Sequence, residues 1–170
     1  MSQISAIRKT GLGLAALAIL LACALAPGPL FAQAAKGPNG DSDRESLDLN
    51  TIATLSVALV FQAYGYIGTY ADLLSTGVYE ADRVNAMLKE TTIYLQNSRD
   101  RLTLFQTSAM GLSSGDKKYI AEVVTILDLL ISEAQSLSAF ALNHNENDLK
   151  QYEASKTKAW SSISKLLRSG

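Results

Sequence analysis

One histidine, His144, and one cysteine, Cys23, set narrow limits on the chemistry open to this sequence. A carboxylate-bridged di-iron centre draws Glu-x-x-His pairs from facing helices. His144 sits in the polar stretch NHNEND with no Glu three residues before it, so that pattern is absent. Covalent c-type haem attachment needs Cys-x-x-Cys-His, which is also absent. Met87 and Met110 are possible axial haem ligands, but the histidine that would join them lies in a turn. A nucleophilic triad cannot be assembled around one turn histidine. The stretch SSGDKK, residues 113–118, has the flavour of a phosphate loop without its spacing, and reads as a helix start. Glu122, Asp128 and Glu133 fall off the apolar seam of their segment and are expected to be solvated. The chain therefore reads as a non-enzyme, with no catalytic set, no metal set and no cofactor.

Two groups of residues are less inert. Thr91 and Ser98 stand seven apart at seam positions where leucine would pack best. Such hydroxyls commonly bond the carbonyl one turn back. The alternative is a polar-lined ligand pocket formed by Thr91, Ser98, Tyr64 and Tyr94. Five of the seven tyrosines, Tyr64, Tyr66, Tyr70, Tyr79 and Tyr94, also fall close together in the sequence. Their rings suit a helical core with hydroxyls reaching its rim. Aromatic residues are equally the mark of a contact surface, here Gly65, Tyr66, Gly68 and Tyr70.

The elements that must position these residues begin after an export signal. Arg8 and Lys9 precede an uninterrupted apolar run, residues 11–26, followed by Pro-Gly-Pro and the small-x-small triplet Ala32-Gln33-Ala34. Those are the three regions of a cleaved secretory signal peptide, residues 1–34, leaving Ala35 at the mature N-terminus. LLAC, ending at Cys23, resembles a lipobox, but Leu21 is large for its place and the residues after the cysteine are apolar. With cleavage after Ala34 the mature chain has no cysteine, hence no disulfide and no thiol chemistry. Residues 35–46 are polar and rich in Gly, Asp and Ser, and read as a flexible leader. The folded domain is expected over 47–170.

Four periodic blocks follow, near 47–75, 79–109, 115–143 and 146–168, with no proline after Pro38. Gly77 and Gly111 read as helix stops, and Ser114 with Asn145 or Asn147 as starts. The third block has the clearest seam: Ile120, Val123, Leu127, Leu130, Ala134, Leu137, Ala141. The fourth runs Leu149, Tyr152, Lys156, Ala159, Ile163, Leu166, with Lys156 interrupting it. Leu95, Leu102, Leu127, Leu130 and Phe61 are expected in the core.

The first block is uncharged from Thr54 to Ala71, which raises the question of a membrane span. One narrow arc of it, Thr51, Thr54, Ala58, Gln62, Gly65, Thr69, Asp72 and Thr76, is polar or small throughout. A span needs roughly 20 predominantly apolar residues and basic flanks. This segment spends many positions on Thr, Ser, Gln and Tyr and lacks those flanks. It reads as the most apolar helix of a soluble bundle, with small residues such as Gly65 and Gly68 leaving a membrane packing face as the competitor.

Four helices with short breaks imply antiparallel neighbours, so the expected fold is all-α, an antiparallel up-down-up-down four-helix bundle. Hydrophobic residues at 48% and charged ones at 18% are globular values. A net charge of −1 offers no field for nucleic acid. The functional expectation is a periplasmic or secreted interaction module of the bacterial cell envelope, partnered by an envelope protein or by itself. A small-ligand sensor or carrier is the alternative, and a membrane-anchored protein, through helix one or a lipidated Cys23, the further one.

Overall fold

A computed structural model describes residues 40–169, with side chains described from Leu49 to Arg168. The signal peptide, the lipobox and the first part of the leader lie outside the described residues. Among the described residues the fold has four helices: α1 Gly40–Ser75, α2 Ala81–Ser108, α3 Ser114–Asn143 and α4 Glu146–Ser169. No strand occurs among the described residues.

The packing is bundle-like, and α3 is its axis. It lies against α1, α2 and α4; α1 touches all three others, whereas α2 and α4 do not meet. The helix therefore has neighbours on most of its circumference, and its sequence fits. Beside the expected seam, of which Leu127, Leu130, Ala134 and Leu137 are wholly buried, a second line is covered. It runs Tyr119, Ile126, Glu133, Phe140 at intervals of seven, with Tyr119 half-buried and the other three buried. Between Ile120 and Ala141 only Ala121, Thr125, Asp128 and Gln135 are exposed. Glu133 is thus not solvated: its exposure is 0%. Of the other two carboxylates expected in solvent, Asp128 is exposed and meets Arg99 of α2 at 3.3 Å, and Glu122 is intermediate.

The helix ends follow local chemistry. Gly77, at φ 69°, closes α1 in a Schellman arrangement: its N–H donates to the Leu74 carbonyl at 3.1 Å, and that of Val78 to Leu73 at 3.1 Å. Ser113, not Ser114, caps α3. Its hydroxyl accepts from the Asp116 N–H while the Asp116 carboxylate accepts from the Ser113 N–H, a complete capping box. His144 ends α3 in the left-handed region at φ 52°, exposed, its ring edge-on to Phe140. Asn145 opens α4 by accepting the Asn147 N–H on its side-chain oxygen at 2.8 Å.

The start of α1 differs from expectation. The helix begins at Gly40, so residues 40–46 of the expected leader are helical. Extending an existing helix adds one hydrogen bond per residue fixed and avoids the cost of nucleation, so a polar segment without proline can be recruited onto a long helix. The polar arc of α1 is solvent-facing, with Thr51, Thr54, Ala58, Gln62, Thr69, Asp72 and Thr76 exposed. Val60, Ala63, Tyr64, Ile67 and Ala71 form its buried face. Phe61 and Leu102, expected inside, are only partly buried against the core. In α4, Ser155 rather than Lys156 completes the buried line, which runs Tyr152, Ser155, Ala159, Ile163, Leu166. Lys156 stands beside that line with its Nζ 5.5 Å from the centre of the Tyr152 ring. Two helical stretches, Leu49–Ser75 and Ser114–Asn143, are long and apolar enough to cross a membrane by length and composition, and the first is the less buried.

Candidate functional site

The tyrosines around α1 divide between two sides of the helix. Tyr64 points inward. Its ring stacks on Trp160 of α4 at 5.3 Å and 29°, and Phe61 meets the same indole at 6.3 Å. Desolvation, and then the nearby Glu133 carboxyl, push the Tyr64 hydroxyl up to about 12. Tyr66 and Tyr70 point toward α2. With Tyr94 they wall a groove of about 270 Å³, floored by Leu59 and Ala63 and edged by the polar residues Gln62, Glu90 and Thr91. Tyr66 is 55% exposed and Tyr94 59% exposed. Tyr79 sits apart, beneath the Arg83 guanidinium at 4.1 Å.

The structure therefore regroups the residues expected to matter. Thr91 and Tyr94 of the candidate ligand pocket join Tyr66 and Tyr70 of the candidate contact surface in one groove. Tyr64 is on the other side of α1, and Ser98 does not line the groove. Both seam hydroxyls bond within their own helix, Thr91 to the Met87 carbonyl and Ser98 to the Tyr94 carbonyl, each at 2.9 Å. Gly65 and Gly68 do not line the groove either. A Cβ built on either would meet nothing within 4 Å, so neither glycine serves close packing among the described residues.

A second cavity, of about 420 Å³, opens where α1 passes the α2–α3 connection. Leu49, Ile52, Phe105, Met110 and Leu112 line it, with Thr51 as its polar member. It has no cluster of polar groups to orient a ligand.

The polar group that sequence reasoning missed is Glu133. Neither carboxylate oxygen has a hydrogen-bond partner, and the buried Tyr152 hydroxyl also lacks one. Burial raises the Glu133 carboxyl to about 8, against a lowering pull from Lys156. Burial first, and then the Glu133 carboxyl, drive the Tyr152 hydroxyl well above the usual tyrosine range. Nearby, Ser132 and Ser155 share a hydrogen bond of 3.0 Å across the α3–α4 contact. A carboxyl so enclosed can hold or release a proton, but among the described residues it has no exposed surface for a substrate to reach. The signal was present in the seven-residue spacing of Tyr119, Ile126, Glu133 and Phe140. Among the described residues no three His, Cys, Asp or Glu side chains converge as a metal site. Compared with known proteins, the chain matches no family model, no curated protein and no solved structure.

Proposed function

We propose that this chain is a non-enzymatic interaction module of the bacterial cell envelope, which binds an envelope protein or a second copy of itself through the groove between α1 and α2. The observation that carries the reading is the groove itself. Three tyrosines from two helices surround an apolar floor, and two of them remain more than half exposed. Tyrosine supplies a rigid apolar body and a polar tip, the combination enriched at protein contacts. Ile93 and Leu104 of α2 and Leu55 of α1 add exposed apolar surface to the same two helices.

The export part of the proposal rests on residues 1–34, whose three regions fit a cleaved signal peptide and support a mature chain in the periplasm or outside the cell. Intact mass from the native host tests it: a chain starting at Ala35 is expected, and a diacylglyceryl group on Cys23 would replace cleavage by lipid anchoring. We read the bundle as antiparallel, up-down-up-down. Pairings of Asn85 with Ser138, Arg99 with Asp128 and Gln106 with Lys117 support opposite directions for α2 and α3.

The ligand reading is the weaker one. Thr91 and Ser98, its polar lining, spend their hydroxyls on their own helix. Sedimentation of the mature chain, with capture of envelope proteins, separates the readings. The interaction module predicts self-association or a captured partner, weakened by Tyr66→Asp and Tyr94→Asp with the melting temperature unchanged. A monomer that captures nothing, and whose melting temperature rises with a metabolite, would replace it by the ligand reading. Extraction of the mature chain only with detergent would favour membrane anchoring through α1.

A further inference from the structure

We propose that Glu133 makes the docking of α4 sensitive to pH: the helix stays seated on α1 and α3 while the carboxyl is protonated, and loosens when it ionises. The proposal is independent of the groove and of its partner.

The geometry comes first. Glu133 has no exposed surface, and neither of its oxygens meets a donor. The Tyr152 hydroxyl, on the α4 side of the same layer, is also buried and unpaired. An ionised carboxylate in such a place has lost its water without replacement, at a cost far larger than the neutral acid's. The groups that bear on this layer can be named helix by helix. From α1 come Tyr64, and Asp72 acting on Tyr152. From α4 come Tyr152 itself, Glu153 acting on it, and Lys156, the cation that acts on Glu133. The buried positions of α2 are Val84, Leu88 and Leu95, all uncharged. Most of these neighbours are acids, and the ammonium of Lys156 rests by the Tyr152 ring.

The direction of the pH effect follows. Burial holds the folded-state carboxyl at about 8, above its ordinary 4.5. The folded form therefore keeps a proton that the unfolded form gives up. Stability from this group is fully present below the ordinary value and drains away as pH rises toward 8. The loss falls on α4 because of how the helices meet. An ionised Glu133 is relieved by drawing Lys156 inward or by admitting water, and Tyr152 stands on that side. α4 has contacts only with α1 and α3, whereas α3 is also held by α2.

Trp160, the one tryptophan of the chain, reports on the step from its stack with Tyr64. The test is acrylamide quenching of Trp160 in the mature chain, titrated from about pH 5 to about pH 9.5, with far-UV circular dichroism in parallel. A several-fold rise in quenching is expected, with a midpoint near 8 and most helix signal retained. Glu133→Gln should give a flat profile, and Lys156→Met should move the midpoint upward. A flat wild-type profile, or the same transition in Glu133→Gln, overturns the proposal. Should Glu133→Gln not fold, a carbon-13 titration of the wild-type carboxyls decides. A glutamate titrating near 8 sustains the proposal, and all glutamates in the ordinary carboxylate range refute it.

Discussion

Tyr64 and Tyr66 are two residues apart on α1 and have opposite surroundings. Tyr64 is buried, stacked on Trp160, and next to an enclosed carboxyl. Tyr66 stands at a groove that none of the described residues fills. The same helix is a core element on its α3–α4 side and an unfinished surface on its α2 side. The difference comes from its neighbours. On one side α3 and α4 bring Leu130, Ala134, Ala159 and Ile163 into a continuous core. On the other, Glu90, Thr91 and Tyr94 of α2 leave space between the helices. Residue type alone does not decide whether an aromatic ring stabilises a fold or stays exposed beside a groove.

The comparison breaks first at Ile67, on the closed side and wholly buried. Ile67→Ala should cost about 2–5 kcal/mol in urea unfolding, as buried aliphatic residues do. A midpoint that does not move would mean that α1 is not docked on α3. Next in size is Ser113→Ala, which removes the capping box of α3. The expected loss is about 1 kcal/mol, with no effect on partner capture, because the cap lies on neither side of α1. An equal loss of capture would tie the start of α3 to the groove. The smallest effect concerns a gap away from the groove. Gly68→Ala should raise stability by about 0.5–1 kcal/mol, since a mid-helix glycine is costly and the space above it is empty. A fall in stability would show that something packs against it.

Much of this architecture is legible in the sequence, because helix ends and seams are local signals. Gly77 can take a positive φ, and that is where α1 stops. The Ile120-to-Ala141 seam repeats in threes and fours and is buried at each member. The cap of α3 lies one residue before the expected Ser114, because Ser113 and Ser114 are adjacent and only the distance to Asp116 separates them. Glu133 departs from expectation for a different reason. A carboxylate off the main seam is normally solvated, and only a helix with three neighbours buries a second line as well. The groove was half legible. Thr91, Tyr94, Tyr66 and Tyr70 stood out by type, but which side of a mostly apolar helix meets which neighbour is a tertiary fact. Tyr64 and Ser98 could not be separated from them by spacing alone.

The contrast between the two sides of α1 is tested most directly by urea unfolding of Tyr64→Ala and Tyr66→Ala in a chain expressed from Ala35 onward. Tyr64→Ala should lose about 3 kcal/mol or more, as buried aromatic truncations do. Tyr66→Ala should stay within about 0.5 kcal/mol of the parent, as exposed sites do. Equal losses, or a larger one at Tyr66, would contradict the division of α1 into a closed side and an open one.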